Sequence, residues 1–132
     1  MIERMLAEAR ARIVRYSPAE AAASNALVVD LRGSDERRRD GIIPGSVHVP
    51  RSVLEWRCDP ESGWANPHVV GRSLILVCGE GYSSSLAAAT LLDLGVDAGD
   101  LDGGFEAWRA SGSPIRPAPV HDGALTGMGG PE

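Results

Sequence analysis

The sequence feature that most constrains the fold is an apolar run that ends in a cysteine and a short glycine-bearing loop. The run Leu74-Ile75-Leu76-Val77 has the length and composition of a β-strand buried on both faces. Cys78 follows it, and residues 84–94 then predict a helix that Gly95 ends. The apolar stripe expected on that helix consists of Leu86, Ala89, Thr90 and Leu94. The pattern places Cys78 at the edge of a parallel sheet, where ligand crevices form.

The loop and the helix start favour a negatively charged sulfur at Cys78. A thiolate, unlike a thiol, is a strong nucleophile at neutral pH. Gly79 and Gly81 let the backbone curl so that N–H groups point toward the sulfur, and the following helix adds its positive N-terminal end. The three serines at its start, Ser83 to Ser85, can cap the helix or donate hydrogen bonds to a sulfur species. The pattern predicts a thiolate or a persulfide; the alternative is a buried structural cysteine.

Strands alternate with helices along the rest of the chain. The predicted strands cover residues 13–16, 26–30, 46–50, 74–77 and 96–101. The predicted helices cover residues 1–11, 18–23, 34–39, 51–56, 84–94 and 105–110. This alternation predicts an α/β fold with a parallel sheet and helices on both faces. The domain is expected to span residues 1–115, with a poorly ordered tail over residues 116–132, where proline and glycine replace large apolar residues.

Composition narrows the classes of function. The chain has 132 residues, enough for one domain, and its formal net charge of -5 argues against binding nucleic acid or an anionic membrane by bulk charge. No apolar run reaches the roughly eighteen residues of a transmembrane helix, and the N-terminus lacks a signal-peptide stretch. Two cysteines do not make a disulfide framework, so we expect a reducing cytoplasmic location. His48, His68 and His121 lack metal-ligand spacing, and we expect neither a metal nor a cofactor.

Four segments together resemble a single-domain rhodanese, a sulfurtransferase family. They are Val29-Asp30-Leu31-Arg32, Gly41-Ile42-Ile43-Pro44-Gly45-Ser46, the loop from Cys78 to Ser84, and Leu101-Asp102-Gly103-Gly104-Phe105-Glu106-Ala107-Trp108. The resemblance covers roughly residues 12 to 115. It implies the three-layer rhodanese fold, with a parallel sheet of about five strands. It also implies that a donor passes a sulfane sulfur to Cys78, which hands it to a thiol or to cyanide.

The resemblance assigns roles to individual positions. Cys78 is the nucleophile and persulfide carrier, and Asp30 and Arg32 form a supporting charged pair. The loop cradle consists of Gly79, Glu80, Gly81, Tyr82, Ser83 and Ser84. The implied partners are a small sulfur-containing donor, such as thiosulfate or a persulfide, and a thiol acceptor; a partner protein's persulfide is a further possible donor. The sequence does not fix the oligomeric state.

Two departures from the family bear on the donor. Many members carry an arginine where this chain has Ser83, and the loop here also carries Glu80. An anionic donor such as thiosulfate is therefore expected to bind weakly unless a neighbouring arginine compensates. The candidates for that compensation are Arg32, Arg51 and Arg57.

Two other functions compete with sulfur transfer. A cysteine phosphatase of related fold needs a longer loop closed by an arginine, and positions 83 and 84 are both serine. A non-catalytic binding or redox-sensing module is the main alternative. Among other residues, Cys58 is interpreted as incidental to a polar loop, with a resolving thiol as the alternative. Trp56 and Trp108 are interpreted as core anchors.

Overall fold

The centre of the protein is a five-stranded parallel β-sheet, in a computed structural model that describes residues 1–120 and 125–132. The strands are β1 (Arg15–Tyr16), β2 (Leu27–Asp30), β3 (Val47–His48), β4 (Leu74–Val77) and β5 (Ala98–Leu101). They lie in the order β1-β5-β4-β2-β3, and each neighbouring pair is parallel. Parallel neighbours need crossover connections, which here run through helices. The predicted α/β class is confirmed.

Six α-helices surround the sheet in the described part of the chain. They are α1 (Ile2–Arg12), α2 (Pro18–Ala23), α3 (Ser34–Asp40), α4 (Leu54–Cys58), α5 (Ser83–Asp93) and α6 (Gly104–Ala110). A short 3₁₀ turn, Arg51–Val53, precedes α4. The start of α2 carries a capping box, in which Ser17 and Glu20 each bond the other's backbone N–H. None of these helices has the length and apolar character needed to span a membrane.

Strand β4 is the middle strand and is buried on both faces. Alternate side chains of a strand point to opposite sides of the sheet. Leu74 and Leu76 contribute to a core that includes Leu91 of α5, whereas Ile75 and Val77 contribute to a core with α2 and α6. Helix α1 packs outside α5. Because both faces are covered, the carboxyl end of β4 is the part of the strand closest to a surface.

The helix after β3 is rotated relative to the sequence-based expectation. Trp56 was expected to face inward, but it is 56% exposed, whereas Leu54 and Cys58 are buried. The α-helix begins at Leu54 and not at Arg51, so residues four apart from Leu54 face the core. Cys58 therefore belongs to the core and not to a polar loop. Trp108 is buried, as predicted.

Helix α5 also presents a different face from the one that its apolar pattern indicates. Its fully buried positions are Ser84, Ser85, Ala87, Ala88 and Leu91, whereas Leu94 is exposed; Ser84, Ala87, Ala88 and Leu91 lie on one stripe. These four follow the i, i+3, i+4, i+7 spacing of one helical stripe. A serine and two alanines allow the helix to approach the sheet closely. Because one of the inward residues is a serine, a prediction based on hydrophobicity does not identify this stripe.

The described parts of the C-terminal tail contact the domain. Ile42 and Arg116 form an isolated antiparallel bridge. The Asn66 side chain donates hydrogen bonds to the carbonyls of Gly127 and Gly129, and Arg37 forms a 2.6 Å ion pair with Glu132. The expected poor order of residues 116–132 stays a prediction, and its residues 121–124 lie outside the described part of the chain.

Candidate active site

The Cys78 sulfur lies at the carboxyl end of β4 with backbone amides aimed at it. Sγ accepts hydrogen bonds from the N–H groups of Gly81 at 3.2 Å and Ser84 at 3.4 Å. The Ser84 hydroxyl lies 3.3 Å from the same sulfur. These amides belong to the loop and to the first turn of α5, where N–H groups have no partner within the helix. The residue as a whole is only 7% exposed, so the sulfur lies in a largely buried setting.

This surrounding shifts the thiol toward its anionic form. Burial acts to raise the pKa of Cys78, but hydrogen bonds from the Ser84 and Ser83 side chains and from the Ser84 and Gly81 N–H groups outweigh it and lower that pKa. Cys58 is the opposite case, because burial, together with the nearby Glu55, raises its pKa to about 12. The two cysteines are therefore shifted in opposite directions, and the anionic form is favoured only at Cys78.

Glycines allow the loop to close tightly against the start of α6. Gly81 has a φ of +86° and Gly104 a φ of +62°. A Cβ at Gly104 would lie 2.6 Å from the Cys78 carbonyl oxygen and 2.7 Å from the Gly81 nitrogen. The N–H groups of Phe105 and Glu106 bond the carbonyls of Cys78 and Gly79 at 2.9 and 3.0 Å. The loop is thus held between the first turns of α5 and α6.

A buried carboxylate lies behind the loop. Asp100 of β5 is fully buried and accepts hydrogen bonds from the hydroxyls of Ser84 at 2.8 Å and Ser85 at 2.7 Å. Arg15 of β1 forms a 2.9 Å ion pair with it. The two strands are neighbours, and Arg15 and Asp100 are paired in register. Asp100 therefore fixes the side chain of Ser84, whose N–H faces the sulfur.

Two arginines hold the outer side of the loop. Arg10 of α1 and Arg15 of β1 both donate to the Gly81 carbonyl, at 2.8 and 2.9 Å. Arg10 also donates to the Ser85 hydroxyl and lies over the Tyr82 ring. The sequence reasoning missed Arg10, Arg15 and Asp100. The available signal was charge within short strands, because an arginine in β1 and an aspartate in β5 break otherwise small or apolar patterns.

Of the three arginines named as possible compensation, Arg51 and Arg57 are engaged elsewhere, whereas Arg32, although paired with Asp30, also lines the depression beside Gly79 and Glu80. Arg32 is paired with Asp30, Arg51 with Glu55, and Arg57 donates to the carbonyls of Trp64 and Thr126. No hydrogen bond from any of them to the loop is found among the described residues.

The predicted supporting pair is assembled beside the site and not in contact with the sulfur. Arg32 bonds both carboxylate oxygens of Asp30, at 3.0 and 2.9 Å, and its guanidinium stacks on Phe105 at 3.7 Å. Arg37 also reaches Asp30, at 3.2 Å. Because Phe105 donates its N–H to the Cys78 carbonyl, the pair buttresses the loop through α6.

The remaining loop residues form the rim. Glu80, Tyr82 and Ser83 are exposed, and Glu80 lines a polar depression together with Gly79. The other residues that line this depression are Arg32, Glu36, Arg39, Asp40, Phe105 and Glu106. The rim beside Glu80 is thus rich in carboxylates.

In the part of the chain that the structure describes, no group of three or more potential metal ligands is found, and His121 lies outside that part.

Comparisons with known proteins agree on one family. The rhodanese-like domain family model matches residues 17–111. The chain is 33% identical over 102 residues to the thiosulfate sulfurtransferase GlpE of Pseudomonas savastanoi. The aligned segment covers 74% of this chain and 88% of that relative. A solved protein of unknown function from Rhodopseudomonas palustris, described as a possible tyrosine phosphatase, is 38% identical with a TM-score of 0.81 over 88% of this chain and 94% of that one. A thiosulfate sulfurtransferase from Pseudomonas aeruginosa is 26% identical with a TM-score of 0.63, over 80% of this chain and 20% of that one.

Proposed function

The chain belongs to the rhodanese-like domain family, and on that premise we propose that it is a sulfurtransferase that carries sulfane sulfur on Cys78. The Cys78 thiolate attacks the outer sulfur of a donor, and a new S–S bond forms while the donor's own bond to that sulfur breaks. Sulfite leaves from thiosulfate, or a thiolate leaves from a persulfide. A thiolate or cyanide acceptor then attacks the outer sulfur of the Cys78 persulfide, and Cys78 leaves as a thiolate.

The observation that carries this proposal is the pair of N–H groups on the Cys78 sulfur. Hydrogen bonds from Gly81 and Ser84 stabilise a negative sulfur both before the attack and when Cys78 becomes the leaving group. In this proposal Gly79, Glu80, Gly81, Tyr82, Ser83 and Ser84 form the cradle of the transferred sulfur. Asp30 and Arg32 position the loop and take no part in the chemistry.

A persulfide fits the rim better than thiosulfate as a donor. Glu80 and Glu36 both lie beside Gly79, and thiosulfate carries two negative charges. The loop itself carries no guanidinium to bind a sulfonate group, and Arg10 and Arg15 donate to the Gly81 carbonyl. Arg32 and Arg39 line the same depression as Glu80 but are paired with Asp30 and Asp40. We therefore propose a low-molecular-weight or protein persulfide as the donor and a thiol as the acceptor, in a reducing cytoplasm that keeps Cys78 free.

The main alternative is a non-catalytic binding or redox-sensing module. The low exposure of Cys78 favours this non-catalytic module, because a sulfur donor must reach a residue that is almost fully buried. The description of the Rhodopseudomonas palustris protein points to phosphatase chemistry, but Ser83 and Ser84 offer no bidentate charge for a phosphoryl group.

Intact-protein mass spectrometry separates these readings. We expect the chain to gain the mass of one sulfur atom after incubation with glutathione persulfide, and to lose it again on addition of cyanide. Cys78→Ser should abolish the gain, whereas the matched variant Cys58→Ala should keep it. No gain with either glutathione persulfide or thiosulfate would overturn the sulfurtransferase, and turnover of an aryl phosphate would favour a phosphatase.

A further inference from the structure

Two arginines from outside the family-matched segment converge on one carbonyl of the active-site loop. Arg10 and Arg15 precede residues 17–111, the part of the chain that the family model covers. Their guanidinium groups donate to the Gly81 carbonyl at 2.8 and 2.9 Å. The N–H of the same residue donates to the Cys78 sulfur at 3.2 Å. Gly81 therefore has cations on one side and the sulfur on the other.

We propose that Arg10 and Arg15 are positioning residues that hold the Gly81 N–H on the Cys78 sulfur. They also supply, next to the Gly81 carbonyl, the positive charge that the loop itself lacks. This inference rests on the proposed function for its biological use. The hydrogen bonds fix the direction of the loop at a glycine, the residue type with the greatest backbone freedom. The charges favour an anionic sulfur through space.

The balance of charge around the loop depends on this contribution. The nearby charged groups are Arg10 of α1, Arg15 of β1, Arg32 before α3, Glu36, Arg39 and Asp40 of α3, Glu80 of the loop, Asp100 of β5 and Glu106 of α6. Five of these nine are carboxylates, so without Arg10 and Arg15 only two arginines, already paired with Asp30 and Asp40, would offset them. Burial acts to lower the pKa of Arg15, but Asp100, Asp102 and the Cys78 sulfur raise it, so the cation and the sulfur interact favourably.

Arg12 provides a matched control on the same helix. It lies two residues after Arg10 and forms an exposed 2.5 Å ion pair with Asp93 of α5. It thus links α1 to α5, but Asp93 lies at the far end of α5 from the loop. If Arg10 acted only by docking α1, the loss of Arg12 would have a similar effect.

The test is the pH dependence of Cys78 alkylation by iodoacetamide, followed by mass spectrometry of the peptide that contains Cys78. We expect Arg10→Gln and Arg15→Gln each to raise the pKa of Cys78 by on the order of one unit. Arg10→Lys, which keeps the charge, should restore much of the difference. Arg12→Gln should leave the profile unchanged.

An unchanged profile in Arg10→Gln would overturn the inference, as would an equal change in Arg12→Gln. Arg10 is half-buried and forms no ion pair with any residue that the structure describes, so this variant is informative even if Arg15→Gln, which leaves Asp100 without its cation, fails to fold. Alkylation needs no sulfur donor. Its outcome therefore stands apart from sulfur transfer, whose absence would count against the proposed function and not against this inference.

Discussion

The Ser84 hydroxyl has one proton and two neighbours that can accept it. It lies 2.8 Å from Asp100 Oδ2 and 3.3 Å from the Cys78 sulfur. While the thiol is protonated, Ser84 can donate to Asp100 and accept from the S–H group. When the thiolate forms, the hydroxyl can turn to donate to the sulfur, and Asp100 keeps its hydrogen bond from Ser85 and its ion pair with Arg15. This residue thus supports both protonation states of Cys78 without leaving a buried group unpaired.

Replacing Ser84 with alanine tests this dual role. We expect Ser84→Ala to raise the pKa of Cys78 by on the order of one unit, because a hydrogen bond to the anion is lost while the Ser84 N–H remains. Alkylation at pH 7 should then slow severalfold. Thr90→Ala is the control on the same helix, because the Thr90 hydroxyl bonds the Leu86 carbonyl and no other described residue. An equal effect of both substitutions would show that the helix, and not the hydroxyl, matters.

At the scale of elements, the site depends on how closely α6 approaches the loop. The first turn of α6 donates two N–H groups to loop carbonyls, and Gly104 has no side chain to keep the two segments apart. Helices α5 and α6 both direct their first turns at the loop. The dipoles of the two helices therefore act in the same direction on a negative charge there.

A methyl group at Gly104 should separate these elements. We expect Gly104→Ala to destabilise the protein by about 2 kcal/mol or more, because the new Cβ meets backbone atoms and the φ is positive. Gly112→Ala is the matched control, since Gly112 also has a positive φ of +75° but nothing within 4 Å of its would-be Cβ. Urea unfolding measures the loss in the free energy of unfolding for both variants. Equal destabilisation would mean that close approach of α6 contributes nothing beyond backbone strain.

At the scale of the whole molecule, a net charge of -5 and an acidic rim act together on the choice of donor. Dianions such as thiosulfate are repelled both on approach and at the loop, and more strongly than donors whose reacting group carries one charge or none. Arg10 and Arg15 already donate to the Gly81 carbonyl, so we expect them to favour the anionic sulfur without binding a sulfonate.

Neutralising one rim carboxylate should therefore change donor preference. We expect Glu80→Gln to raise kcat/KM for thiosulfate severalfold, since a like charge in contact with water contributes about 1 kcal/mol. The gain should shrink at high salt. Glu61→Gln, in an exposed turn with no contact to the loop, is the charge-matched control. The account of donor choice fails if both variants respond alike in steady-state assays.

The sequence predicted the features that lie within one continuous segment, and it did not indicate the contacts between residues that are far apart in the chain. The apolar run, the glycines and the serines form one continuous segment, so β4, the loop and the start of α5 follow from local rules. The pairing of Arg15 with Asp100 joins residues 85 positions apart, and nothing local indicates it. The prediction of which side of α4 faces the core was wrong. A 3₁₀ turn delays the start of the α-helix by three residues, and Trp56 therefore faces outward and Cys58 inward.

The most direct test of the account is the pH profile of iodoacetamide alkylation in the unmodified chain, read separately at Cys78 and Cys58. Cys78 is expected to reach half of its maximal rate below pH 8.5, the value typical of a free cysteine. Cys58, whose pKa is raised to about 12, should stay unmodified over the same range and serve as the internal reference. A midpoint for Cys78 above that of a free cysteine would contradict the claim that the loop favours an anionic sulfur.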